Sequence, residues 1–251
     1  VYRTFWEREN WDVFMIVFTG TDRLGHYFQD DWEEKKAPFY ESFLEYYTRI
    51  DEQIGWIADH KKENDILMMM SDHGMESIQS EVYLNTFLER EGFLQITKGE
   101  RINYNNLTSR TKALVLEPSR IYLNYSSRYP QGSVKQDDRE AIIKDLISLF
   151  NEFSYQDKAE KIVDRVVRKE EIYTGDQMDN APDLILVPGK GFSLRGTLGK
   201  DQVFGLSSTI KGMHRGDDAF LYVHGPNAGS LLPEVPRTED VLTIATKCKE
   251  S

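Results

Sequence analysis

A chain of 251 residues with 39% hydrophobic content is long enough to bury a substantial core, and its single cysteine, Cys248, excludes an internal disulfide framework. Its 42 acidic against 31 basic side chains leave a formal charge of −11, which argues against long nucleic acid as a partner but leaves a small phosphate ester acceptable. No apolar run reaches the roughly 20 residues that a membrane-spanning helix needs, no signal peptide is visible, and the lone thiol leans towards a cytoplasmic location.

The first element expected is a buried strand over Val13–Phe18, an unbroken apolar run. It leads into Asp22-Arg23-Leu24-Gly25-His26, where Asp22 and His26 stand four apart and share a face if the chain turns helically. Gly25 leaves room between them for close backbone approach. The aromatic run Tyr27, Phe28 and Trp32 reads as packing rather than as a stacking platform for a nucleobase. Pro38 opens a long amphipathic helix whose apolar positions Phe39, Phe43, Tyr46, Ile50, Ile54 and Ile57 repeat at three and four. His60 closes it as a complement to the C-terminal dipole.

A second strand, Ile66–Met70, runs into Ser71-Asp72-His73-Gly74-Met75, and the adjacent Asp72 and His73 should diverge. Strand, long helix and strand from Val13 to Met70 read as a right-handed crossover with parallel strands, the helix lying across the sheet. A short helix within Val82–Arg90, closed by Gly92, comes next. The composition then shifts to short β-like pieces, a helix over Asp137–Phe150, and strands over Ile162–Val167 and Leu184–Val187. Residues from about 95 to 180 are expected to form an inserted α+β subdomain. Finally Gly212-Met213-His214-Arg215-Gly216 precedes a third strand, Ala219–Val223, with Lys211 and Arg215 flanking His214 as possible aids to an entering anion. His224, after that strand, reads as a turn residue.

Two carboxylates and three imidazoles thus fall at strand ends, where loops of open α/β sheets converge on one crevice. Asp oxygen and neutral His nitrogen suit zinc, manganese or iron better than calcium or magnesium. A diverging Asp72-His73 pair can address two ions about 3.5–4 Å apart.

In this order the three motifs resemble the metal-binding segments of the alkaline phosphatase superfamily, in its type I phosphodiesterase/nucleotide pyrophosphatase branch. Val82-Tyr83-Leu84-Asn85, Arg90-Glu91-Gly92-Phe93-Leu94, Arg120-Ile121-Tyr122-Leu123-Asn124 and Ala181-Pro182-Asp183-Leu184 extend the resemblance over nearly the whole chain. It implies an α/β fold with a mostly parallel sheet flanked by helices, and two divalent metals, zinc foremost. Asp22, His26 and His214 would hold one, Asp72 and His73 the other, in a phosphoric ester hydrolase acting on a small phosphate ester or nucleotide.

The family's further metal-binding Asp on the first strand, and the downstream Thr or Ser nucleophile, have no counterpart here. Residues 1–251 are therefore expected to be an incomplete catalytic domain with no catalytic nucleophile of its own. Thr19, Thr21 and Ser71 lie beside the metal motifs but are read as satisfying local backbone groups. A cofactor-independent phosphoglycerate mutase or sulfatase of the same superfamily, and a metal-binding remnant without turnover, stand as the alternatives.

Overall fold

The structure is a computed structural model that describes all residues except 98, 100, 101, 156–159, 207, 208 and 251, with no side chains described at 248–250, so the Cys248 thiol lies outside the described residues. In chain order its elements are α1 (Tyr2–Arg8), α2 (Gly20–Glu33), α3 (Phe39–His60), β1 (Leu67–Met70), β2 (Gly74–Ser77), β3 (Ser80–Tyr83), α4 (Leu84–Arg90), β4 (Ala113–Glu117), β5 (Arg120–Leu123), α5 (Arg139–Glu152), β6 (Val163–Arg168), α6 (Lys169–Ile172), β7 (Leu184–Pro188), β8 (Phe192–Arg195), β9 (Phe204–Gly205), β10 (Gly212–Arg215), β11 (Leu221–His224), α7 (Ala228–Leu231) and α8 (Asp240–Glu250). The chain divides into two compact units, one of residues 1–77 with 209–251 and one of residues 78–208.

In the first unit β1 pairs antiparallel with β11, Leu67 opposite His224, and β2 pairs antiparallel with β10, Met75 opposite His214. Of the apolar stripe of α3, Phe43 is buried, Tyr46, Ile50, Ile54 and Ile57 are half-buried and Phe39 is exposed, and the element it packs on is α2 rather than a sheet. Trp32 stacks on Phe43 at 4.8 Å and on Tyr40 at 5.3 Å, and Phe28 meets Phe39 at 4.7 Å. Phe28 and Trp32 are thus helix packing, as expected, whereas Tyr27 is 47% exposed. His60 ends α3 with Nδ1 2.7 Å from Trp56 O, and its ring stacks on Trp56.

The second unit holds a four-stranded antiparallel sheet in the order β4-β5-β7-β6, and a three-stranded sheet β8-β3-β9 in which β3 and β8 run parallel. The helices here fall close to expectation: α4 ends at Arg90 before Gly92, whose φ of +75° suits only a residue without Cβ strain. Along α5, Ile142, Ile143, Leu146 and Phe150 are buried at helical spacing and join Leu84, Phe87 and Leu88 of α4 in one apolar cluster with the strands. Asn85, fully buried, ties it together. Its side-chain amide donates to Val115 O at 2.9 Å and Gly196 O at 2.7 Å, and its oxygen accepts the Val115 N–H at 2.8 Å.

The parallel sheet expected from the sequence is largely replaced by short antiparallel pairings; β3–β8 is the parallel pair among the described residues. Val13–Phe18 is not a strand either, so no parallel crossover links it to β1. The segment keeps a strand's alternation, with Phe14, Ile16 and Phe18 half-buried and Val13, Met15 and Val17 66–72% exposed. What it lacks is a neighbouring strand: a strand exists only when its backbone groups are paired, and the bonds this run receives are local ones at its end, from the Thr21 N–H and hydroxyl to Phe18 O at 3.4 and 2.9 Å.

Candidate metal centre

Asp22 and His26 enter the site from the first two turns of α2. Thr19 stands before this helix, Asp22 lies in its first turn where the positive end of the dipole favours a carboxylate, and His26 follows one turn on. Asp72 and His73 lie in the three-residue link, Ser71 to His73, between β1 and β2, and His214 sits inside β10. The antiparallel pairing of β2 with β10 sets His214 against the end of that link.

Three close distances define one group. His214 Nε2 lies 3.1 Å from Asp22 Oδ1 and 3.0 Å from His26 Nε2, and His26 Nε2 lies 3.5 Å from Asp22 Oδ1. Two ligands bound about 2.0–2.1 Å from one zinc ion at a tetrahedral angle are about 3.3 Å apart, and these three separations bracket that edge. His73 Nε2 is 3.8 Å from the same Asp22 oxygen and 3.5 Å from Asp72 Oδ2. The His73 and His214 rings stack at 3.6 Å. Asp22, His73 and His214 can also offer one ligand atom each within 4.8 Å of one another. All five residues singled out in the sequence therefore meet in one place, with Asp22 Oδ1 at its centre and Asp72, its side chain 88% exposed, at its outer edge.

Two ring orientations are held from behind. His26 Nδ1 is 2.9 Å from Gly212 O and His73 Nδ1 is 2.9 Å from Gly74 O. Each contact places the ring proton on Nδ1, where it donates to the carbonyl, and leaves the Nε2 lone pair towards the group, as metal ligation requires. Burial, and after it the adjacent His73 imidazole, pushes the pKa of His214 down from its usual range, which favours the neutral, ligating form.

Glycine makes this approach possible. A Cβ on Gly212 would lie 2.2 Å from Gly25 O, so α2 and β10 touch backbone to backbone at the turn that carries His26, and the Lys211 N–H donates to His26 O at 2.6 Å. The glycine that the backbone approach requires is Gly212, not Gly25: a Cβ on Gly25 would meet the Met75 side chain at 2.8 Å, and neither Gly212 nor the carbonyls of Gly212 and Gly74 stand out in the sequence. Backbone acceptors carry no side-chain signature, and only the glycines inside the motifs hinted at them.

The flanking basic residues are otherwise engaged. Arg215 pairs with Asp217 through Nε and, at 2.8 Å, through Nη2, and reaches Glu76 at 3.5 Å, while Lys211 faces Asp30 at 3.8 Å. Neither offers an unbalanced charge to an entering anion. The nearby hydroxyls serve the backbone: Thr21 Oγ1 donates to Phe18 O at 2.9 Å, and Ser71 Oγ accepts the Phe220 N–H at 3.0 Å. His224 is exposed at the end of β11.

Three imidazoles and two carboxylates brought together from α2, the β1–β2 link and β10 are the kind of donor set that could hold a transition-metal ion. The family model of type I phosphodiesterase / nucleotide pyrophosphatase matches residues 2–217, which takes in all three motifs. The chain belongs to this family, a branch of the alkaline phosphatase superfamily whose members are phosphodiesterase- and pyrophosphatase-type hydrolases. No curated protein matches it. Among the described residues no helix is long and apolar enough to cross a membrane.

Proposed function

We propose that this chain carries the metal-binding part of a phosphoric ester hydrolase acting on a small phosphodiester or nucleotide, with two divalent ions, zinc foremost. In this reading Asp22, His26 and His214 hold one ion and Asp72 with His73 the other. The observation that supports it best is the trio of separations of 3.0, 3.1 and 3.5 Å among Asp22, His26 and His214, which suits ligands of one tetrahedral ion better than three unrelated surface groups.

Bound metal would supply concentrated positive charge beside an anionic ester, which repels an attacking oxyanion. The chain's own part is orientation. Gly212 O and Gly74 O hold His26 and His73 in the ligating tautomer, and Asp22, central to the group, supplies the negative charge. We assign no nucleophile to it, because the hydroxyls of Thr21 and Ser71 are already bonded to backbone. The reading of residues from about 95 to 180 as a subdomain inserted into the catalytic domain belongs to the same proposal.

Metal content per chain, after dialysis against zinc and against manganese, tests it. One to two tightly held ions are expected, with affinity lower by on the order of a hundredfold in His214→Ala, since even groups behind a ligand cost up to that much. Hydrolysis of a chromogenic diester by the metal-loaded chain would exclude a remnant without turnover. A folded chain that takes up no ion overturns the proposal, and turnover of a phosphoglycerate but not of a diester would move it to the mutase branch.

A further inference from the structure

The second unit contains a cavity of about 510 Å³ in which none of the metal-centre residues takes part. That is the size of a site for a small metabolite. Tyr125 is its buried lining residue and Lys169 a partly buried one, and Ser127, Arg128, Gln136, Asp179 and Asn180 are exposed.

Lys169 is unusual for a lysine, with its side chain only 12% exposed. It is ion-paired with Asp183 at 3.6 Å, too far for a hydrogen bond, and both oxygens of Asp183 also accept from other donors. Oδ2 accepts the Leu123 N–H at 2.9 Å, and Oδ1 accepts the Tyr125 hydroxyl at 2.8 Å with Arg139 Nε at 3.5 Å. The ammonium carries three donors and has, among the described residues, one long bond to Met178 O at 3.4 Å. A partly buried ammonium with donors to spare favours an oxygen-rich anion beside it.

Arg128 is the second cation. It is held by donating to Asp179 O at 2.8 Å and Asn180 O at 3.4 Å, with its guanidinium 5.2 Å from the Tyr129 ring and 5.8 Å from the Tyr122 ring. Among the described residues it has no carboxylate partner within 4.0 Å, unlike Arg139, Arg168 and Arg215. The lining therefore carries two cations and the carboxylate of Asp179, with Asp183 paired to Lys169 and no carboxylate paired to Arg128 among the described residues, in a protein of net charge −11. Ser127, Gln136 and Asn180 add neutral donors of the kind that orient oxyanions.

We propose that this cavity is an oxyanion-binding site, separate from the metal centre, for a small metabolite carrying a phosphate or carboxylate group. Its charge comes from Lys169 and Arg128, and it needs no metal.

Calorimetric titration of the full chain in the presence of a chelator, at low salt, tests it with inorganic phosphate and with citrate as separate probes. One saturable site is expected, weakened about tenfold in Arg128→Gln and in Lys169→Met and unchanged in His214→Ala. Phosphate binding alone names a phosphoryl ligand, citrate binding alone a carboxylate, and binding of both an unselective oxyanion site. Because Lys169 is partly buried against Asp183, Lys169→Met can fail to fold; Arg128→Gln and Asn180→Asp, both exposed, then decide, and the second should abolish binding by adding a carboxylate. No saturable binding of either probe, or binding that survives Arg128→Gln and Asn180→Asp unchanged, overturns the proposal.

Discussion

The two units of this chain divide structure and chemistry between them. Nearly every fully buried apolar side chain among the described residues belongs to the second unit, from Val82 on β3 to Val203; the first contributes Phe43, Val223 and Ile244. The five candidate ligands nevertheless all lie in the first. Its geometry rests instead on backbone contacts, Gly25 against Gly212 and β2 against β10, and on the aromatic stack of α2 with α3. Ligand positions can thus be set by local backbone approach without a large core beneath them.

Three perturbations would break or sharpen that contrast. The largest effect is expected from Asn85→Ala, which strips three buried hydrogen bonds from the second unit and should cost about 3 kcal/mol in urea unfolding, with zinc affinity unchanged. A parallel loss of zinc would mean that the site depends on the apolar core after all.

Gly212→Ala works in the opposite direction. The added methyl meets Gly25 O and must push α2 off β10, so zinc should bind about tenfold more weakly although no ligand changes. Calorimetry with zinc, read beside a urea curve that reports the second unit unaltered, checks this. The smallest effect belongs to Met15→Gln. At 72% exposure Met15 packs little, and the change should stay within about 0.5 kcal/mol by thermal unfolding; a larger loss would show that the apolar edge at 13–18 is covered in solution.

Much of the second unit can be read along the chain because its signals are local. The stripe Ile142, Ile143, Leu146 and Phe150 predicts α5, Gly92 marks the end of α4, and β7 begins two residues after Pro182. Strand partners have no such local signal. Ile66–Met70 and Ala219–Val223 are readable as strands, yet nothing in either says that β1 and β11 pair with each other and antiparallel. The same failure explains Val13–Phe18, where composition demands a strand and only a neighbouring backbone could make it one.

For the site, the sequence by itself determined the donor types, and for Asp22 and His26 the shared face, since four residues make about one helical turn. It determined as well that α3 would be a helix with one more apolar face, because that periodicity belongs to the helix alone, although only Phe43 of that face is buried. Tertiary structure decided the rest: that His214 comes within 3.1 Å of Asp22 across nearly the whole chain, and that Gly212 and Gly74 carbonyls choose the tautomers of His26 and His73. Both depend on backbone groups that every residue possesses, so no pattern of side chains could encode them.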